Sequence, residues 1–275
     1  MRAGTVAVVT GASRGVGRGI ALALGAAGAI VYVTGRSVVG AASGEAVSGT
    51  VGDTAAAVTA RGGRGFAVRC DHTVVGDVQS LFARVAHEQG RLDLLVSNAW
   101  GGYEGHDLAG FTAPFWAQPL RHWDGMFTAG VRAHLLAARG AVGLMRPRRY
   151  GLIVCTTAWD RDRYLGNLFY DVAKAAVHRA VYGMARELRA DGVAAVALAP
   201  GFVRTERVLA AHAAQPFDLG PTESPEYTGR AVLALAADPD MQRWSGRVVA
   251  VGTLAAAYGF TDVDGRRVPP LELPE

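Results

Sequence analysis

Short apolar runs rich in valine and isoleucine alternate along this chain with longer stretches rich in alanine and leucine. The short runs have the length of strands, and the longer stretches repeat their apolar residues at helical spacing. The predicted strands are Thr5–Val9, Ile30–Thr34, Gly65–Arg69, Leu92–Ser97, Gly151–Thr156, Ala194–Ala199 and Arg247–Val251. The predicted helices cover residues 16–27, 51–61, 75–89, 123–145, 169–190 and 225–236. Repeated βαβ units of this kind predict an α/β Rossmann fold with a doubly wound, seven-stranded parallel sheet.

The alternation continues without an internal repeat or a linker, so residues 1–275 are expected to form one domain. The low-complexity stretch 37–49 is predicted to be a loop after the second strand. Thr50 and Asp53 have capping-box spacing, which predicts that the next helix begins there. An extended C-terminal tail is predicted over about 252–275, because the prolines within it cannot be helical.

Charge and cysteine content narrow the classes of partner. The 28 basic and 24 acidic residues give a formal net charge of +4, and the basic residues are scattered, which disfavours nucleic-acid binding. Cys70 and Cys155 are too few for a disulfide framework and lack metal-ligand spacing, so we expect a reducing compartment, the cytoplasm, and no metal. No cleavable leader and no apolar stretch of roughly 20 residues is present, so no membrane association is expected.

A glycine-rich turn joins the first predicted strand to the first predicted helix. It reads Thr10-Gly11-Ala12-Ser13-Arg14-Gly15-Val16-Gly17. Such a turn lets the backbone approach a pyrophosphate, while the following helix N-terminus supplies N–H groups and a positive dipole. We therefore predict a dinucleotide site that includes Gly11, Ser13, Arg14, Gly15, Val16 and Gly17.

The end of the second strand indicates which dinucleotide binds. An NAD-preferring site usually offers the ribose hydroxyls a carboxylate here, but this sequence reads Thr34-Gly35-Arg36-Ser37. Arg36 and Arg14 instead supply two guanidinium groups, which bind a 2′-phosphate bidentately. We therefore predict NADP(H) as the cofactor and include Ser37 in its site. Asp71, just after the third strand, is predicted to meet the adenine, with His72 beside it as a further contact or as a loop residue.

Tyr170 and Lys174 lie at the start of the helix that follows the fifth strand. Their i, i+4 spacing places them on one face, where an ammonium can stabilise a tyrosinate and lower its pKa from about 10. A phenol of this kind can protonate an oxygen that gains negative charge as a hydride arrives. Lys174 is also the only lysine of the chain, which indicates a task that arginine cannot perform, with biased codon usage as the alternative.

Together these features resemble the short-chain dehydrogenase/reductase family from Val6 to about Val251. The shared motifs are Thr10-Gly11-x-x-x-Gly15-x-Gly17, Asp71, Ser97-Asn98-Ala99, Thr157, Tyr170-x-x-x-Lys174 and Pro200-Gly201-Phe202-Val203-Arg204-Thr205. Residues 98–100, 116–123 and 258–266 resemble more closely the branch of this family called SDR family member 1.

The resemblance implies roles for these residues. Thr157, 13 residues before Tyr170, would orient the substrate carbonyl with its hydroxyl, and Lys174 would also bind the nicotinamide ribose. The remaining cofactor contacts it implies are Asn98, Ala99, Pro200, Gly201, Val203 and Thr205. The long helices 123–145 and 169–190 resemble the surfaces through which the family forms homodimers and homotetramers.

Four positions depart from the family pattern. Gly130 stands where an asparagine of the proton relay is usual, so the relay lacks a member. Ser97 and Trp100 replace the first asparagine and the glycine of an Asn-Asn-Ala-Gly motif, which places a large ring near the cleft mouth. Thr157 replaces serine, keeping the hydroxyl but stiffening its torsion. These changes predict a tailored pocket.

Aromatic residues fall in loops beyond the carboxyl ends of the predicted strands, where ligands of open α/β sheets bind. The predicted substrate pocket consists of Trp100, Trp159, Tyr164 and Phe202, with Tyr103, Phe115 and Trp116 in similar loops. This favours an apolar or aromatic ketone, unless the rings simply pack the loops against the core. Asp160, Arg161 and Arg163 are candidate contacts for a polar substrate group or else solvated charges.

The function predicted from these motifs is NADPH-dependent reduction of a ketone or aldehyde, or oxidation of the corresponding alcohol, on a small-molecule substrate. Two alternatives remain open from the sequence. One is a sensor or scaffold that binds NADP(H) without turnover, and the other is a non-redox enzyme that uses the acid–base pair alone.

Overall fold

The computed structural model describes residues 1–38, 48–104, 111–159 and 163–273. Its strands are β1 (Val6–Thr10), β2 (Ile30–Gly35), β3 (Arg64–Arg69), β4 (Leu94–Ser97), β5 (Gly151–Thr156), β6 (Val193–Ala199) and β7 (Val248–Ala250). They form one sheet in the order β3-β2-β1-β4-β5-β6-β7, and every neighbouring pair is parallel. The predicted doubly wound, seven-stranded parallel sheet is therefore confirmed.

Helices cover both faces of this sheet. They are α1 (Gly15–Ala26), α2 (Val51–Ala60), α3 (Val75–Gln89), α4 (Leu120–Met126), α5 (Ala133–Met145), α6 (Leu168–Leu188), α7 (Glu206–Ala214), α8 (Pro225–Ala237) and α9 (Val251–Tyr258). Residues of α1, α2, α8 and α9 share one core with the sheet, and residues of α3, α5 and α6 share another. Strands buried on both faces read as continuous apolar runs, which is why the sequence predicted them well.

Two helical features were not predicted from the sequence. The predicted helix 123–145 is present, but π-helical residues Phe127–Arg132 separate α4 from α5. Helix α7 was not predicted; none of its residues is buried, so no apolar stripe packs it into the core. By contrast, the capping box predicted at Thr50 is confirmed, since its side chain and that of Asp53 each accept a backbone N–H of the other.

The prediction of an extended tail from about residue 252 is wrong for its first part, because residues up to Tyr258 belong to α9. The alanine-rich run 254–257 continues as a helix directly from β7, and Gly259 ends it with a φ of +76°. From there to residue 273 the chain has no regular helix or strand, as the prolines require.

The order of the strands creates the place for a site. The connections leave β1 and β4 toward opposite edges of the sheet, so a crevice opens beyond the carboxyl ends of these two strands. Within the parts of the chain that the structure describes, no helix has the length and apolar character needed to cross a bilayer.

Candidate active site

The glycine-rich turn is packed tightly against the segment that follows β4. A Cβ at Gly11, whose φ is +62°, would lie 2.8 Å from the Cα of Ala99, and a Cβ at Gly17 would lie 2.4 Å from the oxygen of Gly11. Asn98 donates its amide to the carbonyl oxygens of Thr10 and Gly11, each at 3.1 Å. Glycine is therefore required at these positions for close approach of the backbone, as a cradle for a pyrophosphate demands.

A cleft of about 290 Å³ opens above this turn. The predicted cofactor residues that line it are Gly11, Ser13, Arg14, Gly15, Val16, Arg36, Ser37, Asp71, His72, Asn98, Ala99 and Thr205. Gly17 lies beneath the turn inside α1, where it is buried. Most of the cofactor site predicted from the sequence thus comes together in one cleft.

The N-terminus of α1 already holds an anion in this cleft. The backbone N–H of Gly15 donates to the Glu206 carboxylate, with 2.8 Å between the nitrogen and Oε2. Helix N-termini favour anions because their first N–H groups are unpaired within the helix and carry the positive end of the dipole. The carboxylate is therefore a stand-in for a phosphate, and the turn fits the diphosphate of a dinucleotide.

Two guanidinium groups lie at one end of the cleft, as predicted. Arg14 donates through Nη2 to the Ser37 hydroxyl at 2.9 Å and to the carbonyl oxygen of Gly49 at 3.1 Å. Arg36 forms a salt bridge with Glu104, a second carboxylate in the cleft. These contacts join the glycine turn, the end of β2 and the segment after β4 around one anion-binding end.

Asp71 and His72 line the wall next to this end. Asp71 Oδ1 accepts from the backbone N–H and the hydroxyl of Thr73, at 2.9 and 2.7 Å. His72 is 5% exposed, and its Nε2 lies 2.8 Å from the Thr34 hydroxyl oxygen. Burial lowers the pKa of His72 to about 4, so the imidazole is neutral at pH 7. His72 therefore contributes a neutral, hydrogen-bonded surface to the cleft.

The side chains of Tyr170 and Lys174 lie beside two aromatic rings of the cleft wall, Trp100 and Tyr103. The ring centroid of Tyr170 is 5.5 Å from that of Trp100 and 6.2 Å from that of Tyr103, to which it is nearly parallel. Asn167 begins α6 by accepting the backbone N–H of Tyr170 at 2.9 Å, which fixes where the helix starts. The tyrosine is thus held at the helix start, as the sequence predicted.

The expected lowering of the Tyr170 pKa is not found in this form of the protein. Burial raises the pKa of Tyr170 well above its usual value, and the contact with Tyr103 raises it further. Lys174 is 7% exposed, and burial lowers its pKa to about 7. Its Nζ lies 3.6 Å from the ring centroid of Trp100 and 5.1 Å from that of Tyr170. Both members of the pair are strongly perturbed, as acid–base groups of active sites often are.

Thr157 has a partner that was not predicted from the sequence. Its Oγ1 lies 2.9 Å from Nε2 of His178, two turns beyond Tyr170 on α6. His178 lines a second cavity together with Lys174, Trp159 and Arg163. The spacing Tyr170, Lys174, His178 (i, i+4, i+8) was visible in the sequence and places all three along one side of the helix.

The segment after β6 supports the cleft more than it lines it. Val203 pairs with Glu223 in an isolated bridge, and a Cβ at Gly201 would lie 2.9 Å from Oε2 of Glu223. Thr205 begins α7 by accepting the backbone N–H of Val208 at 3.3 Å, and it also lines the cleft. Pro200, Gly201 and Val203 are not among the residues that line the cleft in the described structure.

The predicted substrate pocket is not brought together as a single site. Trp100 lines the cleft, Trp159 lines the second cavity, Tyr164 is 60% exposed, and Phe202 stacks on Phe217 with 5.8 Å between centroids. An aromatic ring that was not predicted, Phe111, instead packs on Tyr170 at 5.7 Å between centroids. Asp160 and Arg161 lie outside the described residues.

This arrangement, with a glycine turn at the crevice, a Tyr-x-x-x-Lys pair and a hydroxyl after β5, defines a class of protein. The family model of short chain dehydrogenases matches residues 5–215, so the chain belongs to the short-chain dehydrogenase/reductase family. Members of the family interconvert carbonyl and alcohol groups with NAD(P)(H), and the protein is an oxidoreductase of this kind acting on a small molecule.

Similar proteins agree with this assignment. The chain is 41% identical to dehydrogenase/reductase SDR family member 1 of Mus musculus, over 96% of this chain and 85% of that protein, which confirms the branch expected from the sequence. It is 30% identical to a 3-oxoacyl-[acyl-carrier-protein] reductase of Synechocystis, over 85% and 90% of the two chains. A short chain dehydrogenase from Mycobacterium thermoresistibile has the same fold, with a TM-score of 0.83 at 23% identity, over 98% and 92% of the two chains.

Proposed function

We propose that the protein reduces a ketone or an aldehyde with NADPH, or oxidises the corresponding alcohol, with Tyr170 as the general acid or base. The observation that carries the proposal is the burial of the only lysine beside Tyr170, against the Trp100 ring that lines the dinucleotide cleft. A buried ammonium next to a phenol favours the tyrosinate that forms when the phenol gives up its proton. The bound cofactor supplies the hydride.

Three side chains carry out the remaining steps of the proposed reaction. Thr157 donates its hydroxyl to the substrate oxygen and so orients the carbonyl. Tyr170 donates its phenolic proton to the same oxygen as negative charge develops there. Lys174 stabilises the resulting tyrosinate and binds the nicotinamide ribose. Reversal of these steps serves the oxidation of an alcohol.

Exchange of tyrosine for phenylalanine tests this assignment. Tyr170→Phe keeps the ring and its packing but removes the transferred proton, so we expect kcat to fall by roughly 10³-fold, within the range for general acid catalysis. NADPH affinity, measured by fluorescence titration, should change little. Tyr150→Phe, at an exposed tyrosine outside the predicted pocket, is the matched control and should turn over normally. Normal turnover by Tyr170→Phe on a panel of ketones and aldehydes would overturn the proposal.

The preference for NADPH over NADH follows from charge at one end of the cleft. Arg14 in the glycine turn and Arg36 after β2 lie there, Arg36 paired with Glu104, and Thr34, Gly35 and Ser37 at the end of β2 bring no carboxylate. Guanidinium groups favour the 2′-phosphate that distinguishes the two cofactors. Arg36→Ala should therefore weaken NADPH binding about tenfold or more while leaving NADH binding nearly unchanged. Equal losses for the two cofactors would contradict the preference.

A sensor that binds NADP(H) without turnover is the second candidate, and Gly130 favours it because the usual relay amide is missing. Tight NADPH binding with no oxidation across the carbonyl panel would support the sensor. Transfer of deuterium from labelled NADPH into product would exclude both the sensor and a non-redox acid–base enzyme. A cytoplasmic homodimer or homotetramer is proposed with the same function, and light scattering tests its mass.

A further inference from the structure

Two of the departures from the family pattern touch each other in the structure. The ring of Trp100 lies directly against Gly130, such that a Cβ at residue 130 would be 2.2 Å from Cζ3 and 2.5 Å from Cε3 of the indole. On its other side, a Cβ at Gly102 would be 2.5 Å from Cζ2 of the same ring. Real side chains do not approach this closely, so the indole occupies space that exists because both positions are glycine.

Gly130 lies within the π-helical segment Phe127–Arg132 and is buried there. Such π-helical segments are rare and often occur at functional sites. An asparagine at residue 130 would need the volume that the Trp100 ring takes. The indole of Trp100 therefore occupies the volume that a side chain at residue 130 would need.

The face of this ring is directed at the ammonium of Lys174. Nζ lies 3.6 Å from the indole centroid, well within the roughly 6 Å over which a cation is attracted to an aromatic face, and tryptophan is the strongest such partner. Within the described part of the chain Lys174 forms no salt bridge, so the ring is its principal favourable electrostatic contact. The indole N–H is buried and finds no acceptor among the described residues. The ring thus holds this position without a hydrogen bond of its own.

We propose that Trp100 is a positioning residue for Lys174, which holds the ammonium against its ring face in the space left by Gly130. The inference rests on the proposed role of Lys174 in the reaction. In this arrangement the aromatic ring fixes the ammonium on one side, and Lys174 also borders the second cavity.

Several other titratable groups surround this lysine. Tyr170 lies one turn before it on α6, and His178 and Asp171 line the second cavity with it. His134 on α5 is buried, which lowers its pKa, and the charge of Lys174 lowers this pKa further. From the segment after β4, Tyr103 stacks on Tyr170. A test must therefore change the ring face of Trp100 and leave these groups in place.

Lys174 can be observed alone, because a protein grown with ¹³C-labelled lysine gives a single Cε signal. Its titration should be centred near pH 7 in the native protein. Replacement of tryptophan by mono-, di- and trifluorotryptophan withdraws charge from the ring face and barely changes its volume. We expect the pKa of Lys174 to fall stepwise, by about one unit over the series, because the ammonium loses attraction. An unchanged pKa, or a rise, would overturn the proposal.

Trp159 supplies the matched control, because it borders the second cavity with Lys174 but is not the ring under the ammonium. The fluorotryptophan series should give the same stepwise fall in Trp159→Phe. It should give none in Trp100→Phe, whose ring cannot be fluorinated by this route. If the stepwise fall in the Lys174 pKa disappears in Trp159→Phe, the effect comes from Trp159 and not from Trp100, and the proposal is contradicted.

Substitution of residue 130 provides an independent test. Gly130→Ala should push the indole aside, move the Lys174 signal and reduce turnover. In the Trp100→Gly protein the indole is already absent, so adding Gly130→Ala should change neither the Lys174 signal nor turnover any further. An unmoved signal in Gly130→Ala, with the fold checked by circular dichroism, would contradict the inference. These readouts are separate from the proposed reaction, since normal turnover by Tyr170→Phe would overturn the reaction and leave the Lys174 titration as it is.

Discussion

At the scale of single residues, Glu223 is a buried acid that the proposed reaction does not use. Its side chain is 1% exposed and lies between the segment after β6 and α8. Burial raises the pKa of Glu223 to about 7, and the charge of Asp262 adds to this. The hydrogen bond from the Thr228 hydroxyl and the charge of Arg204 oppose the shift without cancelling it. Between about pH 4.5 and pH 7, the Glu223 carboxyl therefore keeps its proton in the folded protein and loses it in the unfolded chain.

Glu223→Gln should remove a pH dependence of stability. Below about pH 4.5 both states bind the proton; between that value and about 7 the unfolded state loses it first, so the stability of the native protein falls as pH rises. A shift of this size corresponds to about 3 kcal/mol. The free energy of unfolding of the variant, relative to the native protein, should therefore rise by about 3 kcal/mol from pH 4.5 to pH 8 in urea titrations.

The control for loss of one negative charge is Glu187→Gln, at an exposed position of α6. Its difference from the native protein should stay nearly constant over the same pH range. A Glu223→Gln protein that follows the native pH profile would show that the carboxyl is ionised in the folded state.

Residues of the site were predictable where a local motif carries them. Gly11, Gly15, Tyr170 and Lys174 belong to short patterns whose spacing itself has a physical reason. Contacts between distant segments were not predictable, such as the one between Gly15 and Glu206, which are 191 residues apart in the chain. Sequence spacing gives no information about which loop side chain meets a motif once the chain has folded.

At the scale of elements, a carboxylate of α7 accepts a hydrogen bond from the N-terminus of α1. Glu206 lies in the first turn of α7 and accepts the N–H of Gly15 in the first turn of α1. A cofactor diphosphate at the N-terminus of α1 would take the same N–H group. Binding of the cofactor would therefore exchange this contact within the protein for a contact with the ligand, and would remove this bond between α7 and α1.

Glu206→Gln should accordingly make cofactor binding tighter and the cofactor-free protein less stable. A charged hydrogen bond that is partly solvated contributes about 1 kcal/mol, so we expect Kd for NADPH to fall about fivefold in calorimetric titrations. The melting temperature of the cofactor-free variant should fall by roughly 2–4 °C. Glu226→Gln, in the first turn of α8 and paired with Arg61, is the control and should leave Kd unchanged. Weaker NADPH binding by Glu206→Gln would mean that the carboxylate helps to hold the cofactor.

Elements were predicted well where a clear apolar pattern ends at a glycine. Helix α3 was predicted with its observed bounds of 75–89, and Gly90 ends it in the left-handed conformation. Helix α9 was missed because it follows β7 without a turn, so that the apolar run reads as one strand. The π-helical segment could not be predicted, since no local pattern marks it; it contains Gly130, which lies against the indole of Trp100.

At the scale of the whole molecule, the C-terminal segment closes one layer of the fold. Val268 is 6% exposed and belongs to the core shared by α1, α2, α8 and α9. Its carbonyl oxygen accepts from the Tyr227 hydroxyl at 3.0 Å, and Asp262 accepts the backbone N–H of Ser224 at 2.7 Å. A Cβ at Gly252 would lie 2.4 Å from the nitrogen of Pro270. The tail is therefore bound to α8 and α9 of its own chain along much of its length.

Val268→Asp should then destabilise the whole molecule and not only its end. A carboxylate at this buried position would have to lose its hydration or pull the tail off α8, and either outcome costs about 3 kcal/mol. For a chain of this size that lowers the melting temperature by roughly 6–12 °C. Val263→Asp, in the same tail but 52% exposed, introduces the same charge where water can solvate it and should change the melting temperature little. Equal melting temperatures for the two variants would show that the tail leaves the core freely, and that α8 and α9 are stable without it.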